Sequence, residues 1–183
     1  DLTDGSDTNT VDSNTANSNG NGIRLYNSHG NTVRSNEAKS DTYNGIVLSA
    51  SRNNVIESNV VQSNVEIGVQ LADTSINNTV RHNAIRQNTQ IGMRFWASDS
   101  NVVTQNYISA NDTGVFIAST SRGNVIVKNN IFGNAVSNVL TGFTSGSLSQ
   151  TFTRNWWGTT DEVTISAKFG DTVSSFRPYR LGS

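Results

Sequence analysis

The stretch Asn78-Thr79-Val80-Arg81-His82-Asn83-Ala84-Ile85-Arg86-Gln87-Asn88-Thr89-Gln90-Ile91-Gly92-Met93-Arg94-Phe95 decides the fold, because it is one copy of a unit that recurs along the chain. A tripeptide of Asn, then Thr or Val, then Val or Ile begins at Asn9, Asn31, Asn54, Asn78, Asn101 and Asn124, at spacings of 22, 23, 24, 23 and 23 residues. A second Asn follows five residues later in every copy, at Asn14, Asn36, Asn59, Asn83, Asn106 and Asn129. Five further on stand Asn19, Asp41, Asn64, Asn88, Asn111 and Asn134. The unit closes on a Gly and an alternating segment: Gly22-Ile23-Arg24-Leu25, Gly45-Ile46-Val47-Leu48, Gly68-Val69-Gln70-Leu71, Gly92-Met93-Arg94-Phe95 and Gly114-Val115-Phe116-Ile117.

A unit of this length with three short alternating runs is too short for helical hairpin repeats and has no leucine-rich consensus. It suits one turn of a three-faced solenoid whose strands follow the period-two pattern. The fold class expected is all-β: a right-handed, single-stranded parallel β-helix of about six to seven coils, the hand following from the parallel-crossover rule. Inward columns would be Val11, Val33, Ile56, Val80, Val103 and Ile126 on one face and Ala16, Ala38, Val61, Ile85, Ile108 and Ile131 on the second. The third face would supply the pairs from Ile23/Leu25 to Val115/Ile117. Stacked at a strand spacing of ~4.8 Å, such coils form a rod on the order of 35 Å long. The asparagines are expected at the corners, adopting the left-handed conformation themselves and bonding the same position one coil away.

Composition agrees. The 183 residues fit one domain, and 26 of them are Asn, a poor helix former, which excludes a helical bundle. Counting glycine and omitting tyrosine, apolar usage is about 40%, below the ~45–50% of ordinary globular chains. Regular aliphatic placement at a net charge of −1 argues against disorder. With 13 basic and 14 acidic residues and no basic run, nucleic acid is not an expected partner. No stretch approaches the ~20 apolar residues of a membrane span. There is no Cys, so disulfides, thiolate metal sites and Cys nucleophiles are excluded.

The repeat fades after Asn138, with Ser147 to Arg154 as a candidate last coil. Asn155-Trp156-Trp157-Gly158 opens a different pattern. Within Glu162 to Phe169, Val163, Ile165, Ala167 and Phe169 alternate with polar residues, before the turn-like Gly170-Asp171 and the only proline, Pro178. Residues 1–158 therefore read as repeats and 159–183 as a cap or tail that covers the open end with aromatics. Asp1 to Thr8 are too few and too polar to cover a coil, so the first coil is expected to meet a missing domain or a partner.

The Asn-x-Val-x-x-Asn-x-x-x-x-Asn motif with its Gly-hydrophobic-x-hydrophobic strand resembles the parallel β-helix repeats of the NosD-like and carbohydrate-binding/sugar-hydrolase group, relatives of the pectate lyase superfamily. Asn155-Trp156-Trp157-Gly158 resembles the close of many such extracellular helices. The likeness covers roughly Asn9 to Gly158. It implies the fold and an extracellular or cell-surface setting, while the same architecture carries lyases, epimerases, hydrolases and assembly factors.

Outward positions carry function on such a fold. Arg24, Val47, Gln70, Arg94 and Phe116 form one outward column, and Tyr26, Ser49, Ala72, Trp96 and Ala118 the next. Arg24, Tyr26, Gln70, Arg94, Trp96 and Phe116 are the candidate binding residues: aromatic faces suit the apolar side of a sugar ring, and Arg suits a carboxylate or sulfate. The bland reading is that these side chains cover neighbouring apolar surface. The alternating column Asp12, Arg34, Glu57, Arg81 reads as a structural charge ladder, and those charges argue against an ice-binding role for the adjoining Thr10, Thr32 and Thr79.

No catalytic residue is assigned. The Asp-Pro-His-Glu motif of the resembled epimerases is absent, and His29 and His82 lack metal-ligand spacing. For a lyase of the resembled superfamily, which abstracts a proton beside a uronic carboxylate while cations neutralise that group, the resemblance implies Tyr26, Lys39, Arg24 and Arg94 as the fitting residue types. Glu66 and Asp112, two coils apart, have a permissible separation for paired acids, with no supporting motif. No cofactor is expected, and nothing supports calcium. The leading expectation is an extracellular module that binds or processes a polysaccharide, acidic ones included. The alternatives are a fragment of a polysaccharide lyase or uronate C5-epimerase with its catalytic coils upstream, and a structural stalk or scaffold of a phage or cell surface.

Overall fold

The computed structural model describes residues 1–118, 120–142, 150–170 and 176–177. Three parallel sheets run along a β-solenoid of about six turns. The first sheet takes the Asn-Thr-Val strands in coil order: Thr10–Asp12, Thr32–Arg34, Val55–Glu57, Thr79–Arg81, Val102–Thr104 and Val125–Val127, then Thr151–Thr153 and Phe176–Arg177. The second holds Thr15–Asn17, Glu37–Lys39, Val60–Gln62, Ala84–Arg86, Tyr107–Ser109 and Asn130–Phe132. The third holds Leu2–Thr3, Ile23–Tyr26, Asn44–Ser49, Ile67–Ala72, Ile91–Phe95, Thr113–Ile117, Ser137–Thr141 and Phe169–Gly170. Every pairing is parallel and in register with the repeat, as in Val80 with Ile56 and Val103.

The inward columns are those read from the sequence. From Val33, Ala38 and Ile23 onward their members are buried, while Val11 and Ala16 in the first coil are half-buried and pack against the core with Leu2. The core is narrow, a few aliphatic side chains per coil, and that is why so little apolar residue suffices.

The corners correct one expectation. No Asn or Asp of the three columns is itself left-handed; the residue before each one is, as at Ser13, Ser35, Ser58, His82, Gln105 and Lys128. The column residue that follows turns inward, and from Asn31 to Asn134 it is buried. Its amide then bonds the coils on both sides. Asn83 Oδ1 accepts the backbone N–H of Asn59 at 2.9 Å, while Asn83 Nδ2 donates to the Ile56 carbonyl at 2.8 Å and to Asn106 Oδ1 at 3.0 Å. Corner backbone groups that burial would strand are satisfied in this way. Gln150 takes over the first column, receiving the Asn124 N–H, and Asn155 continues the second.

A serine column does the same at the third corner. The backbone N–H of Ser28 donates to Ser51 Oγ, that of Ser51 to Ser75 Oγ, and that of Ser98 to Ser121 Oγ, all these serines being buried. Gly22, Gly45, Gly68, Gly92 and Gly114, at or just before the start of five successive third-sheet strands, are required by close approach. A Cβ on Gly68 would lie 2.6 Å from both the Gly92 carbonyl oxygen and Ile85 Cγ2, and 2.7 Å from Asn88 Nδ2.

At the C-terminal end Trp157 and Ile165 are buried and Phe169 packs edge-on to Trp157, ring centroids 4.8 Å apart. The alternating segment there is not extended throughout: Glu162–Ser166 is a short helix whose N-cap, Asp161, accepts the Thr164 N–H. That bond satisfies a free donor of the first turn. Ser147 to Ser149 of the candidate last coil, Asp171 of the turn and Pro178 lie outside the described residues; Thr151–Thr153 does form the next first-sheet strand. The charge ladder is present as pairs, Arg34 to Asp12 at 2.8 Å and Arg81 to Glu57 at 2.7 Å.

Asn83→Ala removes four hydrogen bonds to flanking coils and strands buried partners, so a stability loss of about 3 kcal/mol or more is expected. Asn130→Ala, at an exposed outward position, should stay within about 0.5 kcal/mol. Urea denaturation of both variants checks this contrast.

Candidate functional site

Arg24, Tyr26, Gln70, Arg94 and Phe116 project from third-sheet strands, and Trp96 follows directly on the strand Ile91–Phe95. Its register places Arg24 beside Val47, Gln70 beside Arg94, and Arg94 beside Phe116, neighbouring strands being ~4.8 Å apart. Strands bring these side chains to one face because alternate residues, Ile23 and Leu25 or Met93 and Phe95, are held in the core.

The face divides in two. In the first coil, Arg24 is held by the Asp1 carboxylate at 3.1 Å, and Tyr26 beside it is exposed. Three strands further along, the Arg94 guanidinium lies over the Trp96 ring, 4.7 Å from its centroid. Trp96 is 46% exposed. Arg94 differs from Arg24, Arg34 and Arg81 in having no carboxylate partner, and its Nε is buried without an acceptor among the described residues. The covering role is also present: Val47, although outward, is buried between the strands that carry Arg24 and Gln70.

The lyase-type set does not assemble. Lys39 is in the second sheet, aligned with Asn17 and Gln62, so it shares no face with Tyr26, Arg24 and Arg94. Glu66 and Asp112 sit at corners before third-sheet strands, with the Gln90 corner between them: the Glu66 carbonyl accepts from Gln90 and Ile91, and the Asp112 carbonyl from Val136 and Ser137. His82 is an exposed corner residue, and His29 Nδ1 accepts the Arg52 N–H at 3.3 Å at another corner.

The sequence profile of the family described as "Periplasmic copper-binding protein (NosD)" matches residues 2–167. This chain belongs to the NosD family. No curated protein matches it in sequence. Among solved structures it is similar to the A-module of the mannuronan C-5 epimerase AlgE6 of Azotobacter vinelandii, with a TM-score of 0.76 at 19% identity, covering 82% of this chain and 45% of that one. A variant of the periplasmic alginate epimerase AlgG gives a TM-score of 0.75 at 21% identity over 95% of this chain and 45% of that one. The pectate lyase Pel9A gives 0.56 at 12% identity, over 74% and 46%. These likenesses are of fold, and the chain spans less than half the length of each of these structures.

The copper in the family's description finds no fitting ligand set here. Protein copper sites draw on thiolate, thioether and imidazole donors. This chain has no Cys, a single Met and two His. Met93 is fully buried in the core, the two His stand at different corners, and no group of three His, Cys, Asp or Glu is placed to hold a metal among the described residues.

The Arg94–Trp96 stack is a surface feature on a strand anchored from below, so Arg94→Ala should cost no more than about 1 kcal/mol, the scale of an exposed cation–π contact. Thermal unfolding of Arg94→Ala beside the parent protein checks this, and a variant that remains folded serves as a clean probe of the face.

Proposed function

We propose that NosD-type coils of this chain bind a polysaccharide along the third-sheet face, centred on Arg94 and Trp96 with Gln70 and Phe116 beside them. The observation that carries the reading is the stacked Arg94–Trp96 pair, in which an exposed indole adjoins a guanidinium that lacks a carboxylate partner among the described residues. An indole offers the apolar face that packs on a sugar ring. The guanidinium offers the paired donors that recognise a carboxylate or sulfate. Arg24 and Tyr26 extend the same face toward the first coil, about 14 Å away by strand spacing, a distance a linear glycan can span. The alginate epimerases and pectate lyase similar in fold are named for work on polysaccharides, which supports this substrate class. The periplasmic description of the family and of AlgG supports a secreted or periplasmic setting.

Titration with acidic and neutral polysaccharides, followed calorimetrically, tests the reading. Losing a charge-assisted hydrogen bond is worth about 1.5–3 kcal/mol, so Arg94→Ala should weaken binding of an acidic polysaccharide by roughly ten- to a hundredfold. Trp96→Ala should weaken acidic and neutral chains alike. Unchanged affinity in both variants rejects the site.

The epimerase and lyase folds favour a second reading, in which these coils form part of a longer polysaccharide-processing enzyme. The release of unsaturated uronic products, read by ultraviolet absorbance, tests the lyase form of it.

A further inference from the structure

One residue breaks the pattern of the third amide column. Asn64, Asn88, Asn111 and Asn134 stand there in successive coils, but the position before them is Asp41, which is fully buried. Its carboxyl occupies the place of an amide. Asp41 Oδ1 accepts the Asn19 N–H at 2.8 Å, as Asn64 Oδ1 accepts that of Asp41 at 3.0 Å. Asp41 Oδ2 approaches Gly22 as the Asn64, Asn88, Asn111 and Asn134 Nδ2 atoms approach Gly45, Gly68, Gly92 and Gly114: a Cβ built on Gly22 would meet Oδ2 at 2.5 Å, against 2.7 Å for each amide nitrogen.

The chemistry of that atom differs. In the next coil Asn64 Nδ2 donates to Asn88 Oδ1 at 2.9 Å and to the Ala38 carbonyl at 3.3 Å. The column thus aims the corresponding atom of Asp41 at two oxygens, Asn64 Oδ1 and the carbonyl of Ala16, the register partner of Ala38. An ionised carboxylate only accepts hydrogen bonds, and Asp41 Oδ2 has no partner among the described residues. A protonated carboxyl can donate to one of those oxygens.

We propose that Asp41 completes the column only in its neutral, amide-like form, so that the first coil is seated on the second through an acid-dependent step. The groups packed around the carboxyl are Asn19 from the preceding coil, Asn64 from the following one, Gly22 of the third sheet and Ala38 of its own coil, none of them charged. The ionisable neighbours in sequence do not offset it: Glu37 accepts from Asn17 Nδ2, Lys39 is on the outward column with Asn17 and Gln62, and Tyr43 is an exposed corner residue. Burial pushes the Asp41 carboxyl above its ordinary value, against the Asn19 hydrogen bonds that lower it. A group raised on folding contributes stability that is full below its unfolded value and is lost as pH rises through its folded value. The seating of coil one therefore loosens upward from the ordinary carboxylate range.

Hydrogen exchange of the full chain tests this, comparing residues 9–26 in the parent and in Asp41→Asn across that pH range. The asparagine restores the column's own donor. The ratio of protection factors, Asp41→Asn over parent, should rise by up to tenfold per pH unit and then level off. A ratio that stays constant with pH, or protection lower in Asp41→Asn, overturns the proposal. Carboxyl carbon-13 shifts give an independent reading: a midpoint for Asp41 above the ordinary carboxylate value agrees, and one at or below it refutes.

Discussion

The hydrogen bond from a buried asparagine side chain to the backbone of an adjacent coil is the constraint on which the rest depends. A tightly wound coil must turn its backbone three times, and each turn carries N–H and carbonyl groups out of the sheets and into the interior. The asparagine amide has one acceptor and two donors and can serve the coil on either side at once. With that supplied, the chain can enter the left-handed region at the preceding residue, and the interior can be as thin as a few aliphatic side chains. The glycines follow from the same requirement, since the third-sheet backbone must pass within contact distance of the amides.

How much was legible depended on whether a feature left a residue type behind. Inward columns did, because only aliphatic side chains fit at Val80, Ile85 or Leu71, and so did the amide columns. The left-handed positions did not: Ser58, His82, Gln105 and Lys128 share a backbone conformation and no side-chain chemistry. Sequence reasoning assigned that conformation to the adjacent asparagines. The serine column went unread because Ser28, Ser51, Ser75, Ser98 and Ser121 are ordinary turn residues until their common burial is seen; their recurrence at the repeat spacing was the available signal. The helix at Glu162–Ser166 was masked by apolar alternation, although Asp161 with Thr164 three residues later is a capping arrangement. Lys39 joined a candidate set by residue type alone, and sheet assignment separates it.

Family membership and chemistry separate in the same way. The NosD profile covers nearly all of the chain because it follows the coil, and the coil is set by inward and corner positions. Function is written on outward positions, which the fold leaves almost free. A copper site needs particular donors converging at one place, and the donors here are few, dispersed or buried. The Arg94–Trp96 pair instead uses the outward freedom of one strand.

The inward side of that strand has its own consequence. Met93 and Phe95, on either side of Arg94 in the strand, point inward and are fully buried, where the other coils place smaller aliphatic pairs such as Val69 and Leu71. The fully buried Phe95 ring anchors this strand in the close-packed core, so the guanidinium and the adjoining indole are carried on a packed support. For the polysaccharide proposed to bind there, the entropy of arranging these groups would be lost during folding and not at the moment of encounter.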